Sequence, residues 1–147
     1  MRLWTAIGLA VVVAVSTLAG GYAIADATHA NAASDTLGPG LVTVDVHIRY
    51  SHFSIKTLKV QPGTTVRFVV HNDDPINHEF IVGDAAVHRR HELGKEAAHP
   101  PVPGEVSLAP EDDGVTFFEF DRPGRYLFAC HLPRHFAFGM KGWVVVV

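Results

Sequence analysis

The sequence predicts an all-β sandwich that carries one short helical insertion. Three observations point there. Short apolar runs alternate with polar residues at period two, as strands with one buried face do. Pro- and Gly-containing turn signals separate these runs at short intervals. The 147 residues are 48% hydrophobic and 18% charged, which describes one globular domain and not a disordered or fibrous chain.

Residues 1–32 read as an export segment. Arg2 is the sole cation before the apolar run 3–21, and Ala30-Asn31-Ala32 and Ala23-Ile24-Ala25 offer small-residue cleavage sites. The run is also about the roughly 20 residues a membrane span needs, so a cleaved signal peptide and an uncleaved N-terminal membrane anchor both fit. Either one places the domain outside the cytoplasm, periplasmic or extracellular. Residues 33–40 are small and polar with Gly38-Pro39-Gly40, a flexible lead-in to a domain over 41–147.

The strands then follow in order. Residues 41–50 alternate strictly, and 54–60 give a second strand before the Gln61-Pro62-Gly63-Thr64 turn. Residues 66–70 form a third, broken by Asn72-Asp73-Asp74-Pro75, and 78–82 a fourth. Residues 85–98 are charged and polar, carry His88 and His91, and precede His99 and Pro100-Pro101. They read as a short surface helix stopped by proline. Strands resume at 106–108, 115–120, 125–129 and 142–147, with a tight Asp121-Arg122-Pro123-Gly124 turn between two of them.

Charge and cysteine usage narrow the function. The formal net charge of -3 leaves no basic surplus for phosphates, which excludes a nucleic-acid partner. A single cysteine, Cys130, rules out an internal disulfide framework. An unpaired thiol outside the cytoplasm oxidises unless something occupies it, and a metal is the natural occupant. The segment around it has the order Cys130-x4-His135-x4-Met140. Thiolate, imidazole and thioether on one loop suit copper, and a His2Cys site with a weak axial Met is an electron-transfer geometry. His78 opens a strand after the Asp74-Pro75 break and is the best candidate for the second histidine.

These residues carry a resemblance. Val60-Gln61-Pro62-Gly63, Asn72 with His78 after it, Pro123-Gly124-Arg125-Tyr126 leading into Cys130, and Gly139-Met140 before the last strand resemble the cupredoxin family. These are type 1 copper proteins such as plastocyanin and azurin. The segment is most similar to small exported bacterial cupredoxins, some of which serve copper resistance. The resemblance implies a Greek-key β-sandwich holding one type 1 copper. His78, Cys130 and His135 become its equatorial ligands and Met140 its axial one. In many cupredoxins an Asn or Ser after the first histidine ties the ligand loops together. Here Glu79 follows and Asn77 precedes, and both are candidates for that supporting role.

The loop spacing also looks like that of multicopper oxidases, but Ala129 precedes Cys130 and there is no His-x-His pair, so an enzyme is not expected. His131 alternates to the face opposite Cys130 and reads as a supporting or surface residue. His88 and His91 share a helical face and, with His99, could take a second metal; a solvated charged helix is the alternative. His47 and His52 read as surface residues, and His71 as a structural hydrogen-bonding one. The expected function is a monomeric one-electron carrier whose redox partner docks near Phe136 and Phe138 beside His135. The alternative is a copper-resistance module that sequesters or passes on the metal without redox shuttling.

Overall fold

The computed structural model describes residues 36–94 and 102–147. The export segment 1–32, residues 33–35 of the lead-in, residues 95–98 of the expected helix and His99 lie outside the described residues. The strands are β1 (Thr36–Leu37), β2 (Gly40–Arg49), β3 (His52–Phe53), β4 (Thr57–Val60), β5 (Thr64–Asn72) and β6 (His78–Gly83). Helix α1 (Ala85–Glu92) follows, then β7 (Glu105–Leu108), β8 (Asp113–Phe120), β9 (Gly124–Ala129) and β10 (Lys141–Val146).

They form two stacked sheets. The larger has the order β1-β4-β10-β9-β6-β7, the smaller β3-β2-β5-β8. Both are mixed. β2 runs parallel to β5 with Val44 opposite Phe68, and β4 runs parallel to β10 with Leu58 opposite Val144. The alternation in β5 is complete: Val66, Phe68, Val70 and Asn72 are buried while the residues between them are only partly covered. They meet Leu58, Val60, Phe80, Val82, Phe128 and Val144 of the facing sheet. Phe80 stands at the centre, with ring centroids 4.9 Å from Phe68, 5.4 Å from Phe53 and 5.4 Å from Phe128. Burying each such side chain contributes about 1.5–3 kcal/mol, which is how a domain without disulfides holds together.

Three elements differ from expectation. Thr36–Leu37 already pair in parallel with Lys59–Val60, so the sandwich begins inside the supposed lead-in. The expected strand over 54–60 is shortened to β4, and the two-residue β3 lies just before it, paired with β2. The helix ends at Glu92, well before the prolines, because Gly94 takes a left-handed conformation with φ of 62°. Its start is capped by Asp84, whose carboxylate accepts from the Ala86 and Val87 amides at 2.8 and 3.0 Å. α1 is not a solvated insertion. It lies on β6 with Val87 against Gly83, and its His88 and His91 are both buried. This cover is why β6 is buried at all six positions while β5 alternates.

Candidate metal centre

The site forms where β6 begins and β9 ends. β6 and β9 are antiparallel neighbours, with Ile81 opposite Ala129. His78, the first residue of β6, and Cys130, the residue after β9, therefore reach the same end of the sandwich. His78 is 1% exposed and Cys130 0%.

From Cys130 the chain makes a loop to Met140 and returns as β10. The loop is closed by its own main chain. The Cys130 amide donates to the Met140 carbonyl at 3.1 Å, and the Met140 amide donates to the His135 carbonyl at 3.1 Å. Gly139 has φ of 91°, the left-handed turn that lets Met140 fold back under the loop. Met140 is fully buried and belongs to the core cluster. His135 returns towards the thiol, with Nδ1 3.3 Å from Cys130 Sγ. Its ring centroid lies 4.8 Å from that of His78.

Ligand atoms of His78, Cys130 and His135 lie within 4.8 Å of one another. Among the described residues no other three His, Cys, Asp or Glu side chains converge in this way. The Nδ1 of His78 is buried without any hydrogen-bond partner. A buried polar atom left unpaired costs about 1–3 kcal/mol, so on a ring that belongs to this cluster it calls for a ligand. The donor set fits copper: two imidazoles, one sulfur that becomes thiolate on binding, and a buried methionine on the same loop.

The surroundings act on each donor. Burial pushes the Cys130 thiol up to about 11, against the amides of Glu79 and Leu132 that point at the sulfur. A bound cation has to displace that proton. Burial also depresses the charged form of His78, opposed by its hydrogen bond to Asp74, so the ring is held neutral and ready to ligate.

Glu79, one of the two expected supports, is 9% exposed and accepts the His131 amide at 2.7 Å. It joins the residue after His78 to the residue after Cys130, tying the ligand segments together. Asn77, the other, is exposed. The support that the sequence did not reveal is Asp74. Its carboxylate takes His78 Nε2 at 3.0 Å and, from the other side, the amides of Tyr50 and Ser51 at 2.7 Å each. Asp74 was read as part of a strand break, because an acidic pair before a proline is an ordinary loop signal.

Other described histidines hydrogen-bond to one another and to neighbouring groups. His88 Nδ1 meets His131 Nε2 at 2.8 Å, and His88 Nε2 donates to the Leu127 carbonyl at 3.0 Å. His91 Nε2 meets Glu105 at 3.0 Å. Burial, with His88 and His91 nearby, brings the His131 ring down to about 4. His71 bonds Asp113 at 2.8 Å, as expected, and stacks on His47 with centroids 4.6 Å apart. On the loop, Phe138 is 64% exposed, whereas Phe136 is half-buried and stacked on His131 with centroids 5.2 Å apart.

A sandwich with a His2Cys cluster at one end, and a methionine on the cysteine loop, defines a copper-binding β-sandwich protein. The chain belongs to the plastocyanin/azurin family of copper binding proteins, whose family model matches residues 41–147. The copper-resistant cuproprotein CopI of Rubrivivax gelatinosus is 39% identical over 98 residues, 64% of this chain and 59% of its own length. The protein of the same description from Pseudomonas aeruginosa is 26% identical over 137 residues, 71% of this chain and 75% of that one. The chain thus spans about three fifths of the first relative. Among solved structures, dithionite-reduced auracyanin from Roseiflexus castenholzii superposes with a TM-score of 0.60 at 23% identity. It covers 71% of this chain and 96% of its own, a likeness of fold alone.

Proposed function

We propose that this chain is an exported protein that holds one copper ion in a type 1 site and carries single electrons through it. The observation that carries this reading is the buried, unpartnered Nδ1 on His78, a ring that clusters with Cys130 and His135. A copper ion bound there supplies a one-electron Cu(II)/Cu(I) couple. Each residue then has a defined task. Cys130 would hold the ion as thiolate, with the Glu79 and Leu132 amides stabilising the sulfur charge. His78 and His135 would hold it with their imidazoles and Met140 with its thioether, and half-buried His135 leads to the surface. Around His135, Phe138, Pro133 and Ala137 are exposed and form the patch on which a redox partner docks. The chain acts as a monomeric carrier and not as an enzyme. The 1–32 segment delivers it to the periplasm or the exterior, by cleavage or as an anchor.

A second reading is supported by the relatives, both described as copper-resistant cuproproteins. In it the same four ligands sequester copper or hand it on. The two are separated by one experiment on the purified domain. Titration with Cu(II) is expected to saturate at one ion and to produce an intense thiolate charge-transfer band, absent in Cys130→Ser. Fast, reversible bleaching by a mild reductant is the carrier outcome. Slow reduction with more than one bound copper is the resistance outcome. No band at all removes the ligand assignment.

A further inference from the structure

We propose that Asp74 is a positioning residue that sets the oxidation-state preference of the copper site. This rests on the copper reading above and adds to it a charge that the ligand set does not contain. The geometry is specific. One carboxylate oxygen accepts the Tyr50 amide, the other accepts both the Ser51 amide and His78 Nε2–H. Tyr50 and Ser51 both have left-handed φ, 53° and 56°, a strained pair that aims their amides at Asp74. The segment is fixed from its own side as well: Asn72 Oδ1 accepts the Asp74 amide at 3.2 Å, and the Asp74 carbonyl accepts the Glu111 amide at 3.2 Å. Asp74 is 7% exposed and His78 1%.

Two consequences follow from the carboxylate being an anion. Accepting from Nε2–H fixes the His78 tautomer and leaves Nδ1 as the lone-pair atom, which is the atom found without a partner. A carboxylate behind a ligating imidazole also raises its donor strength, and stronger nitrogen donation favours Cu(II) over the softer Cu(I). A neutral acceptor at the same point would fix the tautomer without that bias. Asp74 therefore holds the site towards the oxidised state, and lowers its reduction potential relative to a sandwich that lacks the charge.

The test is a redox titration of the visible band in the copper-loaded full chain, wild type against Asp74→Asn. The ratio of Cu(II) to Cu(I) affinity is expected to fall about tenfold, a rise of about 59 mV for one electron. A potential unchanged to within threefold in that ratio, with the band intact, overturns the proposal and leaves Asp74 as a turn support only. Should the variant fail to fold, the same titration on Asp74→Ser, which also removes the charge, decides by the same criterion. Nitrogen NMR of copper-free wild type is expected to show His78 protonated on Nε2 with that proton hydrogen-bonded; a proton on Nδ1 overturns the proposal. If wild type itself forms no thiolate band, the copper reading fails and this proposal falls with it.

Discussion

Cys130 is caught between two environments. Without metal it is a fully buried thiol, with burial pushing it up to about 11. Against a cysteine at 9.0, the thiolate fraction at about pH 8 falls roughly a hundredfold. Copper-free protein is therefore expected to be alkylated by iodoacetamide at least that much more slowly than the unfolded chain. Equal rates would mean that the pocket is open. At this scale the sequence was legible where ligands are close in the chain. Cys130, His135 and Met140 share one loop, and their spacing carries the chemistry. His78 was legible only as a histidine after a strand break. Asp74 was not legible, because its meaning comes from the amides of Tyr50 and Ser51, more than twenty residues away and in a left-handed pair without glycine.

At the scale of elements, the loop from Cys130 to Met140 is held by five main-chain hydrogen bonds and turns at two left-handed residues, Arg134 and Gly139. Space around Gly139 is open, so a methyl group there meets no neighbour. The penalty of Gly139→Ala is purely that of left-handed backbone, about 1–2 kcal/mol. Chemical denaturation is expected to show that loss with the copper band retained. A larger loss, with the band gone, would mean that the turn itself shapes the ligands. Eight of the ten described strands were legible from period-two alternation and fell within a few residues of their expected limits, whereas the two-residue β1 and β3 were not expected. The strands' partners were not legible, since parallel pairing of β2 with β5 and of β4 with β10 links strands far apart in sequence. The helix was overextended. Its buried face consists of His88 and His91, which give no apolar stripe to read.

Across the whole molecule, charge is placed on the open face of the smaller sheet. Burial works against protonation of His71, but its hydrogen bonds to Asp113 and Asp45 outweigh it and raise its pKa above 6.5. A group raised in the native state stabilises fully below its unfolded value, and loses that contribution as pH rises through the native one. The stability gap between wild type and His71→Asn is thus expected to be wide at about pH 5.5 and narrow at about pH 8.5. Thermal melts at the two values check it, and a gap that widens with pH would contradict the pairing. The strand order has a further consequence, for how such molecules behave when crowded. Any sheet end is a template on which another chain can grow. Among the described residues, three of the four ends here are β1, β3 and β7, of two, two and four residues, too short to seed much. Only β8 offers eight, and on its outward face the exposed Val115 and Phe117 are flanked by Asp113 and Glu119, charges beside which an arriving strand has to lie. The architecture that gathers the ligands at one pole also leaves a single guarded place from which fibrous association could begin.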